Sequence, residues 1–272
     1  MIGIVAVSHS AALAEAAVGL ALQMVAEHPP RVIVAAGAGT DADGAPIIGT
    51  DATRVAAAIT DLADTDGVLV LMDLGSAVLS AELAIELAAP ELPVRLAAAP
   101  FVEGLLAAVV RAAGGASLDE VAAEAEGALA PKRGQLGVED AAPPAAAPPA
   151  ESGERLTATL TLRNPLGLHV RPAALIAGVV GGADVAITLP RTGRRAAAGS
   201  PTALLALGAR GGEEIEVSAA PDAREAFDRV RDLVEDGFGE AEDATPASPA
   251  PVAAPGPAPT ARRPVGVSPR SE

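Results

Sequence analysis

Short unbroken apolar runs alternate along the chain with stretches in which apolar residues recur every three or four positions, and this alternation predicts the fold. Residues 2–7 read as a buried strand. From Ser10 the apolar positions Leu13, Ala17, Leu20 and Met24 recur at helical spacing until "HPP" at 28–30 stops the helix. "RVIVAAG" predicts a second strand, followed by a Gly- and Asp-rich loop through "APIIGTDA" and a helix over 51–63. Residues 67–72 of "GVLVLMDLGSA" form a strand without polar alternation, as expected when helices cover both faces. A helix over 76–89, a fourth strand in "LPVRLAA" and two helical stretches over 101–130 complete an α/β pattern. The expected architecture over residues 1–131 is a doubly wound, mostly parallel sheet.

The pattern then collapses. Residues 132–153, with "DAAPPAAAPPAESGE" at their core, hold too few large apolar side chains to fold and too much proline to be helical, so they read as a semi-stiff linker. A second unit is expected over 154–238, with the order βαββαβα. It comprises the strand "RLTATLTLRN", a helix after His169, the strand "ADVAITL", a weak strand near 194–198, a short helix from Pro201, the strand "EEIEVSA" and a charged helix from Asp222. That order predicts a small α+β unit, an antiparallel sheet with helices on one face. Residues 239–272 return to Pro and Ala and read as a disordered tail.

Composition narrows the chemistry. The 272 residues include three Phe, no Trp and no Tyr, so aromatic platforms for stacking bases are missing. The formal charge of −16 would repel a polyanion, and nucleic-acid binding is not expected. With no Cys there is neither a disulfide framework nor a thiolate metal site, which is consistent with a reducing compartment and leaves the cytoplasm as the expected location. The first apolar run has no Lys or Arg before it and is interrupted by Ser8, His9, Ser10 and Glu15, so it does not read as a signal peptide. No apolar stretch is long enough to span a bilayer.

Two of the three histidines occupy a recurring position. His9 lies at the carboxyl end of the first strand, where ligands bind in open α/β sheets, and directly before the N-cap residue Ser10. The unsatisfied N–H groups and partial positive charge of a helix start disfavour imidazolium and welcome an anion. A histidine there is kept neutral and nucleophilic, and a phosphoryl group on it would meet donors already in place, with Ser8 and Ser10 beside it as candidate phosphate-binding hydroxyls. Asp73 sits at the equivalent end of the third run, where a carboxylate on one ring nitrogen decides which nitrogen attacks. The same spacing also fits a histidine packed in a turn and an aspartate capping the next helix.

"NPLGLHVRPAA" repeats the device. His169 precedes a helix whose first turn holds Arg171, a fixed positive fork suited to a phosphoryl group, and Pro172, tolerated where its missing N–H bonds nothing. His28 in "AEHPP" reads as a favourable contact with a helix end and is assigned no chemistry. Lys132 is the only lysine, so there is no P-loop. The histidines are too scattered for a helical zinc pair, and no "GxSxG" elbow occurs. No metal or cofactor is called for, and phosphoryl relay through histidine remains.

"GLHVRP" between a strand and a helix resembles the active-site signature of HPr, the histidine phosphocarrier of the bacterial phosphoenolpyruvate-dependent phosphotransferase system, and "SPTALLALGARGGEEIEV" matches that family in spacing. The resemblance implies that His169 takes phosphate from enzyme I at Nδ1. Ser200 falls where some HPr proteins carry a regulatory phosphoserine; followed by Pro201, it also fits an N-cap. Residues 1–131 resemble the mannose-class IIA component. More narrowly, "VAVSHS", "PIIGTDA", "LVLMDLGSAVLSAE" and "AAPFVEG" resemble the phosphotransferase subunits of phosphoenolpyruvate-dependent dihydroxyacetone kinases, which are often fused to an HPr-like domain. "RRPVGVSPRSE" resembles the opening of enzyme I.

By that likeness His9 carries phosphate on Nε2 and passes it to ADP held on a separate kinase subunit, while another subunit binds dihydroxyacetone. The implied partners are enzyme I, these two subunits, a separate HPr and a second copy paired through the first domain. Two other functions fit the same likeness: a mannose-class sugar-transport IIA component, and a regulator whose phosphorylation state is read by a transcription factor.

Overall fold

The computed structural model describes residues 1–25, 28–138 and 155–240. Four strands form the first sheet: β1 (Gly3–Ser8), β2 (Val32–Ala36), β3 (Val68–Met72) and β4 (Val94–Ala97), all parallel, in the order β2-β1-β3-β4. Helices α1 (Ala11–Leu22), α2 (Ala52–Thr60), α3 (Gly75–Ala88), α4 (Phe101–Ala113) and α5 (Leu118–Gly127) cover it on both faces. Because successive strand side chains point to opposite sides, β1 serves two cores. Ile2, Ile4 and Ala6 pack with α1, α4 and α5, whereas Val5 and Val7 pack with α2 and α3. This is why the strands read as unbroken apolar runs.

The chain leaves β1 toward β2 and later returns to place β3 on the other side of β1. The carboxyl ends of β1 and β3 therefore flank the crevice where the strand order reverses. His9 follows one of these strands and Asp73 the other.

Two features of α1 differ from the sequence expectation. The helix is apolar nearly all round, so periodicity does not select its inner face: Ala14, Ala17, Val18 and Ala21 are buried, while Leu13 and Leu20 are exposed. It also ends at Leu22, and the following turn brings Met24 and Val25 against Val110, Ala174 and Ala177. His28 consequently lies beyond the helix end, exposed and with φ at +50°.

Helix α6 (Ala130–Gln135) crosses the expected boundary at 131; residues 139–153 of the expected linker, residue 154 of the expected second unit and 241–272 of the expected tail lie outside the described residues. The second sheet is antiparallel and comprises β5 (Leu156–Thr161), β6 (Val185–Leu189), β7 (Arg194–Ala197) and β8 (Glu214–Ala219), in the order β5-β8-β6-β7. Helices α7 (Val170–Val180), α8 (Pro201–Leu207) and α9 (Arg224–Glu235) bury its inner residues Ile187, Ile215 and Val217. Thr157, Thr159, Glu214 and Glu216 alternate outward to solvent, so one face is covered and one is open. No helix among the described residues is long and apolar enough to cross a membrane.

Candidate functional site

The first site is built on backbone that β1 and β3 hold in register. Asp73 N–H donates to Val7 O, which places its carboxylate beside the residue after β1. One oxygen, Oδ1, meets His9 Nδ1 at 2.9 Å. The other, Oδ2, accepts from His9 N–H at 2.8 Å and from the Ser8 hydroxyl at 2.9 Å. Burial of the Asp73 carboxyl raises its pKa, but these hydrogen bonds from His9 and Ser8 outweigh that effect and hold it below the ordinary carboxylate range. The Asp73 side chain is 8% exposed and that of His9 19%, so the carboxylate lies beneath the ring and the ring reaches the surface.

A carboxylate at Nδ1 selects the tautomer protonated there and leaves the Nε2 lone pair free to attack. Nε2 faces the start of α3, with the Ser76 hydroxyl 3.0 Å away. Leu74 at the N-cap of α3 supplies no side-chain cap, so backbone donors remain at this helix start beside Nε2. From the opposite side the loop "PIIGTDA" fastens the backbone: Gly49 N–H donates to His9 O at 3.0 Å. Gly49 has φ at +159°, and a Cβ there would lie 2.9 Å from that of Ala38, so a side chain would displace the loop.

At the second site His169 is the N-cap residue of α7. The preceding turn depends on Gly167, at φ +67°, where a Cβ would fall 2.3 Å from Ala209 O. Here the carboxylate takes the other ring nitrogen: Glu240 Oε1 meets His169 Nε2 at 2.8 Å. Its Oε2 accepts from Asn164 Nδ2 at 3.1 Å, and that buried amide also donates to Gly167 O at 2.7 Å. Nδ1 is then the nitrogen left to attack, and the His169 side chain is 32% exposed.

The residues expected around the phosphate separate into different roles. Ser8 is fully buried, its hydroxyl donating to Asp73 and accepting from Ser10 N–H at 3.1 Å, so it braces the site from beneath. The Ser10 hydroxyl caps α1 by accepting from Leu13 N–H at 3.3 Å. Arg171 is exposed in the first turn of α7 and makes no ion pair among the described residues. Ser200 caps α8, accepting from Ala203 N–H at 3.0 Å. Two participants were absent from the sequence reading. Ser76 lies within "GSA", where only a helix start was legible, and Glu240 follows the turn Gly237–Gly239 in what composition assigns to the tail.

A parallel sheet with a histidine at its switch point, followed by an antiparallel sheet with a histidine at a helix start, defines a fusion of a phosphotransferase-system IIA unit with an HPr unit. Residues 3–122 match the family described as PTS system fructose IIA component, and residues 156–236 match the PTS HPr component phosphorylation site. The chain is 41% identical over 256 residues to the phosphoryl donor subunit DhaM of the PEP-dependent dihydroxyacetone kinase of Escherichia coli K12, covering 93% of this chain and 54% of that protein. It thus spans only that share, about half, of the longer relative. The phosphoryl donor subunit DhaM of PEP-dependent dihydroxyacetone kinase 2 of Listeria innocua is 36% identical over 113 residues, 41% of this chain and 86% of that protein. The phosphocarrier protein HPr of Chlamydia muridarum is 38% identical over 93 residues, 34% of this chain and 88% of that protein. The chain belongs to the family of phosphoryl donor subunits of PEP-dependent dihydroxyacetone kinases.

Proposed function

We propose that the chain relays phosphate from phosphoenolpyruvate, through enzyme I, to His169 Nδ1, then to His9 Nε2, and finally to ADP on a kinase subunit that phosphorylates dihydroxyacetone. The observation that carries this reading is the complementary use of the two rings. Asp73 holds Nδ1 of His9 and Glu240 holds Nε2 of His169, so each ring presents one defined nucleophile. A phosphoryl group on nitrogen keeps a high transfer potential, and each step proceeds without a nucleotide on this chain. Among the site residues, Asp73 and Ser8 position His9, while Ser10, Ser76 and the backbone donors of α3 meet the phosphate.

The names of the relatives favour this reading over a sugar-transport component or a regulator of transcription. The partners are enzyme I, the ADP-binding and dihydroxyacetone-binding subunits and, where present, separate HPr. The setting is the cytoplasm. Pairing of two copies through the first domain is assigned to the exposed stripe Leu79, Leu83 and Leu87 on α3.

Incubation with phosphoenolpyruvate and enzyme I, followed by intact-mass spectrometry, is expected to add two acid-labile phosphates. His9→Ala retains one and His169→Ala none. Both variants abolish dihydroxyacetone phosphate formation in a reconstituted system, and separately added HPr rescues only the second. Unchanged flux in either variant, with no other histidine carrier added, removes the relay.

A further inference from the structure

The two described units pack as part of one compact body. The C-terminal unit rests on α4 and α5. Glu124 of α5 accepts from the Ser200 hydroxyl at 2.8 and 3.0 Å and from Thr202 N–H at 2.7 Å. Arg111 of α4 donates to Gly199 O at 2.9 Å and Gly181 O at 3.3 Å, while its other arm is held by Glu120 at 2.9 Å. Val110, Ala174 and Ala177 close a small apolar seam between α4 and α7.

Helices α4 and α5 cover the sheet face lined by Ile4, Ala6, Leu69 and Leu71, but α3 covers the opposite face with Val5, Val7, Val68 and Val70. His9 Nε2 points to the start of α3. His9 precedes the start of α1, whereas the C-terminal unit meets Met24 and Val25 beyond the far end of that 12-residue helix, about 18 Å along its axis. Nitrogen-to-nitrogen transfer needs the attacking atom within about 3–3.5 Å of phosphorus.

We propose that this seam is a resting clasp, built from Glu124 and Arg111, that keeps His169 from His9 on the same chain, and that its release gates transfer between them. The inference rests on the relay proposed above. On release, the P–Nδ1 bond of His169 breaks with its electron pair returning to Nδ1. A P–Nε2 bond forms with the His9 lone pair, and the proton on the other nitrogen of each ring stays where it is. The contact joins a few polar bonds to only a small apolar patch, as expected of one that opens.

The absence of native cysteine permits a direct test. A Cβ at Gly127 would lie 3.9 Å from Thr202 Cγ2, so the full chain carrying Gly127→Cys and Thr202→Cys closes a disulfide only when the units are docked. With phosphoenolpyruvate and enzyme I, label at each histidine is followed by peptide mass spectrometry at two chain concentrations, which separates transfer within a chain from transfer between chains. The oxidised chain is expected to take label on His169 while concentration-independent labelling of His9 falls at least tenfold, and reductant restores it. Glu124→Ala, without the cysteines, raises that rate about tenfold, the order expected for losing hydrogen bonds to a charged group. Failure of the pair to oxidise overturns the clasp, as does a locked chain that relays as fast as the reduced one, or a reduced chain whose transfer is wholly concentration-dependent. A reduced chain in which His9 never takes label removes the relay and the gate together, whereas a locked chain that still relays removes the gate alone.

Discussion

At the residue scale, the proposed relay turns on which ring nitrogen each carboxylate holds. Replacing Asp73 by Asn leaves a side chain of the same size that no longer selects the Nδ1-protonated tautomer. Transfer through His9 is expected to fall by on the order of 10²–10⁴-fold, measured as single-turnover loss of label from His9, with labelling of His169 unchanged. Because the folded pKa of Asp73 is lowered, its hold on His9 is fully present above the ordinary carboxylate range and is lost only as pH falls through the lowered value. Nitrogen NMR of His9 should therefore show the Nδ1 hydrogen bond persisting through mild acid. His9, Asp73 and His169 were legible because strand ends and helix starts can be read from apolar runs and cap residues. Glu240 was not, since it reaches His169 through a turn whose path is set by folding of the whole unit.

At the scale of elements, the join between α4 and α5 shows how local bonds fix a helix start. Ser117 N–H and its hydroxyl donate to Glu120 at 2.9 and 2.8 Å, and Arg111 adds a third donor. Hydrogen bonds from the Ser117 backbone and hydroxyl, opposed by burial and aided by Arg111, lower the Glu120 pKa. Glu120→Ala is expected to cost about 0.5–2 kcal/mol in urea unfolding. The difference from the unaltered chain should be full above the ordinary glutamate range and shrink as pH falls through the lowered value. Strands were the most legible elements because burial on both faces leaves unbroken apolar runs. The inward face of α1 was not, since a helix with little polar contrast gives periodicity nothing to choose between.

At the scale of the whole molecule, sequence pattern carries least. The seam between the units uses Glu124, Arg111 and two glycine carbonyls, residue types that are ordinary on any surface, and only the folded arrangement brings them together. The stripe of Leu79, Leu83 and Leu87 is 69, 48 and 55% exposed in the single chain, a large apolar surface for a helix beside the site. If two copies pair there, Leu79→Asp, at the most exposed of the three positions (69%), should weaken self-association by on the order of 10–100-fold in sedimentation velocity.

The opposite choice of ring nitrogen at the two stations has a chemical corollary. A phosphate resting at one of them and a phosphate resting at the other are distinct positional isomers of phosphohistidine, with different hydrolytic lifetimes and different phosphorus resonances. In the proposed relay the phosphate would carry its own address, and spectroscopy on the intact molecule would follow it without cutting the chain or mutating either histidine.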